Sequence, residues 1–149
     1  MKAGFQDFRA HFFRGIAHLH TRNYEAAIRD YDKTLELEPG TAAAYQGRGY
    51  ARAQLGEHDA AIKDCDMAIK LAPGYADAYH ARGYANAQKG DHDAALMDYN
   101  VAIELAPNFA EAYYSRGKTH YERVNPDAAR RDYGKALELN PKLGKPYYE

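Results

Sequence analysis

Histidine, serine and cysteine are the residues here whose chemistry could go beyond packing: seven histidines, Ser115 and Cys65. A metal set is not among them. His18 and His20 are two apart on a helix, so they point to different sides. His58 and His92 stand 34 residues apart with Asp59, Asp91 and Asp93 nearby. They are too far apart to share one ion. The acidic neighbours are better read as helix-start residues that complement the positive end of the dipole. A single cysteine excludes an internal disulfide and a cysteine-based zinc site. Ser115 sits mid-helix beside Arg116 with no nucleophile elbow and no assigned base. The glycines fall at turns and helix contacts, and no phosphate loop appears. The expectation is a chain with no cofactor, no metal and no catalytic residue.

Charge narrows the partners. Lys plus Arg number 20 against 21 Asp plus Glu, a formal charge of −1. Nucleic-acid binding needs excess positive charge to displace counterions, and a membrane surface calls for a polybasic segment. Neither is present. No run is apolar enough to span a bilayer and Met1 to Ala10 is unlike a signal peptide, so a cytoplasmic home is expected.

The elements that must position any site follow from a period. Pro39, Pro73, Pro107 and Pro141 are each 34 residues apart, as are Gly15, Gly49, Gly83 and Gly117, and Ala27, Ala61, Ala95 and Ala129. Residues 42–75 and 76–109 share 20 identities in 34 positions. The chain therefore reads as one repeat domain over 1–149, with units 8–41, 42–75, 76–109 and 110–143. Within a unit the spacing is helical. Ala76, Tyr79, Gly83 and Ala87 recur at steps of three and four, Gly90 stops that helix, and Asp91 caps a second helix over about 92–105. Pro107 ends it. Asn125-Pro126 replaces the turn in the fourth unit, a cap followed by proline at the first helical position. The prediction is an all-α fold of four two-helix repeats that bury their apolar faces by stacking. Gly83 facing Ala95 lets two backbones approach. Tyr99, Ile103 and Leu105 are expected to fill gaps between units.

These landmarks resemble the tetratricopeptide repeat family. The family pattern puts an aromatic at the fourth place of the unit, Gly at the eighth, Ala at the twentieth, an aromatic at the twenty-fourth and Pro at the thirty-second. Tyr45, Tyr79 and Tyr113 fill the fourth place, with His11 in the first unit. Tyr31, Tyr99 and Tyr133 fill the twenty-fourth, with Cys65 in the second unit, where a buried inert thiol is expected. The seventh place, usually Leu, is Arg14, Arg48, Arg82 and Arg116. The eleventh, usually Tyr, is His18, Arg52, Asn86 and His120. Seventh and twenty-third places lie opposite each other in a hairpin that reverses near the fifteenth. Arg14, Arg48, Arg82 and Arg116 are thus expected to face Asp30, Asp64, Asp98 and Asp132. The competing reading is an arginine ladder that grips an anionic ligand.

The resemblance implies a right-handed α-solenoid whose first helices line a concave groove for a protein or peptide partner. Carried over place by place, the groove-facing residues include Phe12, Phe13, Gln46, Tyr50, Gln54, Asp77, His80, Tyr84, Gln88, Tyr114, Lys118 and Tyr121. Tyr50 and Tyr84 are expected to line up as aromatic anchors, the glutamines to bond a peptide backbone, and Gly47, Ala81 and Ser115 to leave room. Some relatives clamp a chaperone's C-terminal carboxylate with Lys, Asn and Arg. The corresponding places here hold Phe12, Ile16, Gly47, Asp77 and Ala81, so that binding is not expected. The groove's mixed charge suggests a ligand neither strongly acidic nor strongly basic. An alternative is a self-assembling scaffold. Phe5 is expected to cover the first unit, and Tyr147 to begin a further helix or cap over 144–149. That further unit breaks off, so Leu137 and Leu139 are expected to lack cover, which reads either as a fragment of a longer repeat protein or as an end that makes a homo-oligomer contact.

Overall fold

The computed structural model describes residues 2–144, with side chains from Asp7 onward. Eight helices follow in order: α1 (Lys2–His20), α2 (Tyr24–Leu37), α3 (Ala42–Gln54), α4 (His58–Leu71), α5 (Ala76–Lys89), α6 (His92–Leu105), α7 (Ala110–Glu122) and α8 (Pro126–Leu139). A 3₁₀ turn, Pro141–Leu143, packs on α8. Each odd helix pairs with the next even one, and each pair stacks on its neighbour. The described residues hold no strand. None of their helices is long and apolar enough to cross a membrane.

Local chemistry sets the boundaries. Gly90 ends α5 at φ 93°, in the left-handed region where glycine has no Cβ penalty. Asp91 then accepts from the backbone N–H of Ala94 at 3.2 Å. Asn23 and Asn125 cap α2 and α8 in the same way, through Ala26 and Ala128. The second helices each end just short of a proline, which lacks the N–H a further turn would need. The fifteenth place of every unit carries positive φ: Arg22 at 59°, Gly56 at 81°, Gly90 at 93° and Val124 at 58°.

Close packing explains the small residues. A Cβ on Gly83 would stand 2.8 Å from Tyr99 Cε1 and 3.2 Å from the carbonyl of Ala95. Tyr31, Tyr99 and Tyr133 are fully buried at the heart of their units. Cys65 holds that place in the second unit, where burial pushes its thiol up to about 12 and leaves it un-ionised at neutral pH. Ile103 is half-buried as expected of a gap filler, but Leu105 is exposed at the end of α6. Leu137 and Leu139 are half-buried rather than open. The lead-in continues α1 back to Lys2. The side chain of Phe5, and Tyr147, lie outside the described residues.

A column of guanidiniums ties the units together. Arg82 donates from Nε and Nη2 to both oxygens of Asp98, at 3.0 and 2.7 Å. Arg48 and Arg116 hold Asp64 and Asp132 with the same fork. The third nitrogen crosses to the preceding unit: Arg48 to Asp32 at 2.8 Å, Arg82 to Asp66 at 2.9 Å, Arg116 to Asn100 at 2.9 Å. Each of these three guanidiniums also lies over a tyrosine ring, Tyr45, Tyr79 or Tyr113, about 5.5 Å from its centre. In the first of the four units, Arg14 Nη2 lies beside His11. The eleventh-place residues Arg52 and Asn86 give Asp64 and Asp98 a second donor. The buried carboxylates are therefore satisfied, and the guanidinium faces are spent on structure. This arrangement contradicts the anion-gripping ladder.

Candidate functional site

The first helices α1, α3, α5 and α7 lie side by side and carry one face of the molecule. Two hollows open on it. The wider, about 490 Å³, draws residues from all four first helices. Gln46 and Tyr50 come from α3, Asp77 and His80 from α5, Glu111 from α7, and Ile16, Leu19 and His20 from α1. Phe109, in the loop before α7, closes its edge. The narrower, about 340 Å³, lies between the third and fourth units. Tyr84, Gln88, Tyr114 and Lys118 line it, with Tyr99 reaching through from α6.

Tyr50 and Tyr84 join the two hollows. Their ring centres are 6.3 Å apart at 31°, and Tyr24 meets Tyr50 at 6.4 Å. Burial, reinforced by the neighbouring phenols, holds the Tyr50 hydroxyl above its ordinary range, so it stays a neutral donor. Gln46 accepts a hydrogen bond from the hydroxyl of Tyr75, 3.4 Å away. Phe12 packs edge-on to Phe13 and Tyr31, Gln54 is half-buried, and Phe13 and Tyr121 are exposed. These four line neither hollow.

His80 sits deep in the wider hollow, with its ring against Tyr99 and Phe109. Its Nε2 is 2.9 Å from Ser115 Oγ. Burial pushes the imidazole down to about 4, so it is neutral at pH 7. A backbone hydrogen bond at Glu111 opposes that shift, which fits a proton on Nδ1 and leaves Nε2 to accept from the serine hydroxyl. This is a serine–histidine contact that the sequence reading did not find. Places five and six of adjacent units are 35 residues apart, and only the stacking of α7 on α5 joins them. Ser115 is in mid-helix, so its backbone N–H is committed to α7 and offers no oxyanion donor. The pair pins α5 to α7.

The small residues do not leave room for a ligand as expected. A Cβ on Gly47 would stand 2.5 Å from Cζ of Tyr31. That space is filled by the second helix of the preceding unit. Ala81 is buried at the equivalent place, and Ser115 spends its hydroxyl on His80. His18 lies 3.6 Å from Asp30, while His20 lines the wider hollow, so the two diverge. No three metal-ligating side chains gather among the described residues.

Comparison with known proteins places this geometry. Family models described as tetratricopeptide repeat match residues 5–33, 14–76 and 110–143, and one described as TPR repeat matches 87–123. Curated protein sequences give no significant match. Among solved structures, a crystal structure of MamA is 31% identical, covers 95% of this chain and 82% of its own, and superposes with a TM-score of 0.75. The first TPR of Spaghetti (RPAP3), bound to an HSP90 peptide SRMEEVD, is 27% identical over 80% of this chain and 94% of its own, with a TM-score of 0.72. A thermophilic TPR protein of Thermus thermophilus shares the fold with a TM-score of 0.85 at 19% identity, over 90% of this chain and 75% of its own. With eight helices in four stacked pairs among the described residues and family models spread along its length, the chain belongs to the tetratricopeptide repeat family.

Proposed function

We propose that this chain is a non-catalytic interaction module that holds an extended segment of a partner protein against α1, α3, α5 and α7. The observation that carries the reading is the Tyr50–Tyr84 pair, which bridges two hollows and makes one continuous aromatic floor. Tyrosine gives large contact area with few rotors to freeze. Gln46 and Gln88 flank the floor with amide groups suited to a peptide backbone. The peptide-bound relative supports the general mode. Its acidic ligand is not carried over, because Asp77 stands in the wider hollow and Gly47 and Ala81 are packed away.

Affinity capture from a native lysate tests the reading. The wild-type chain is compared with a Tyr50→Ala, Tyr84→Ala double variant whose helicity is first checked by circular dichroism. A partner caught by the wild type and lost by the variant is the expected result. A partner retained equally by both would place binding elsewhere.

A further inference from the structure

The charges of the concave face are separated in space, and this gives the partner a chemistry. Asp77 and Glu111 hold the same place in the third and fourth units, and both open into the wider hollow. Neither has a cationic partner among the described residues, whereas the carboxylates on the other side of the array are held by arginine. Ile16, Leu19, Tyr50 and Phe109 give the same hollow an apolar lining that suits a long aliphatic stem, beside the polar His20, Gln46 and His80. Long cationic side chains bury their methylenes along apolar surface and keep the charge at a polar tip.

We propose that the wider hollow receives a lysine or arginine of the bound segment, its stem along Ile16, Tyr50 and Phe109 and its charge between Asp77 and Glu111. This rests on the groove reading and adds the class of residue the groove selects. Although Asp77 is exposed, its carboxyl is held above the ordinary range, first by partial burial and then by the charge of Glu111, a repulsion that an incoming cation offsets. The mixed overall charge of the groove concealed this arrangement, because Lys118 sits in the other hollow.

The test uses fluorescent nonapeptide pools of degenerate sequence with one fixed central residue: Lys, Arg, norleucine or Glu. Polarisation reads their binding to the full chain. The Lys and Arg pools should bind at least about tenfold more tightly than the Glu pool. Asp77→Asn with Glu111→Gln should abolish that preference, and Asp77→Lys with Glu111→Lys should reverse it toward Glu. Both positions are exposed in a first helical turn, so the variants keep the fold, and circular dichroism checks this. Pools that bind through Tyr50 and Tyr84 with no basic preference would overturn the proposal and leave the groove reading standing. Binding indifferent to Tyr50→Ala, Tyr84→Ala and to the carboxylate variants would overturn both.

Discussion

Val124 holds a backbone conformation that its side chain resists, and replacing it should stabilise the protein. Its φ is 58° and the residue is 86% exposed. The left-handed region costs an L-residue about 1–2 kcal/mol, and a β-branched residue is especially unsuited to it. The equivalent places in the second and third units are Gly56 and Gly90, also at positive φ. Val124→Gly forfeits little packing and keeps the backbone bonds from Val124 to Tyr121 and from Asn125 to His120. Against the relieved strain stands the extra freedom glycine gives the unfolded chain, about 0.4–1 kcal/mol. The net gain is about 0.5–1 kcal/mol. With an m-value of about 2 kcal/mol/M, the urea midpoint should rise by about 0.25–0.5 M. Repeat arrays couple mainly to their neighbours, so amide exchange in α7 and α8 should slow most. Gly90→Val, the reverse change at an equivalent place, should lower the midpoint. An unchanged or lower midpoint for Val124→Gly, with m unaltered, would refute the strain argument.

Three further outcomes follow from the packing and the charges. Gly47→Ala drives a methyl into the ring of Tyr31 and should destabilise by about 1–3 kcal/mol in urea unfolding, although alanine is the better helix former. Arg82→Met leaves the buried carboxylate of Asp98 with Asn86 alone and should cost about 3 kcal/mol, most of it restored by adding Asp98→Asn. His80 is held neutral, with its folded pKa below the unfolded one. Its contribution is therefore fully present above pH 6.5 and lost as pH falls toward about 4. That drop is worth at most about 3 kcal/mol, less the share returned by the ring's residual exposure. Urea midpoints between pH 7 and pH 4.5 should fall more steeply for the wild type than for His80→Gln. Equal slopes would contradict the assignment.

Local signals were the most legible part of the sequence. The turn at Gly90-Asp91 and the cap at Asn125-Pro126 are decided by neighbouring residues, and the structure has them where the spacing puts them. The Arg–Asp pairs were also within reach, because hairpin symmetry alone sets seventh against twenty-third place. What escaped depends on how one unit lies on the next. The third guanidinium contact reaches Asp32, Asp66 and Asn100, which do recur every 34 residues, but only the stacking angle shows they are in range. The same holds for Ser115 against His80 and for Tyr31 filling the space over Gly47. Small residues read equally well as ligand space or as packing space. Deciding between them needs the neighbour's side chain, which lies 16 residues away for Gly47 and on another helix.

The central claim is that the partner lies on the concave face. Site-specific photo-crosslinking tests it most directly. A photoreactive phenylalanine analogue replaces Tyr84 on the concave floor in one sample, and Met97, 69% exposed on α6, in another. Both are irradiated in native lysate. A discrete adduct formed from position 84 and absent from position 97 is the predicted result. An adduct from position 97 with none from position 84 would move the interface to the second helices and contradict the account.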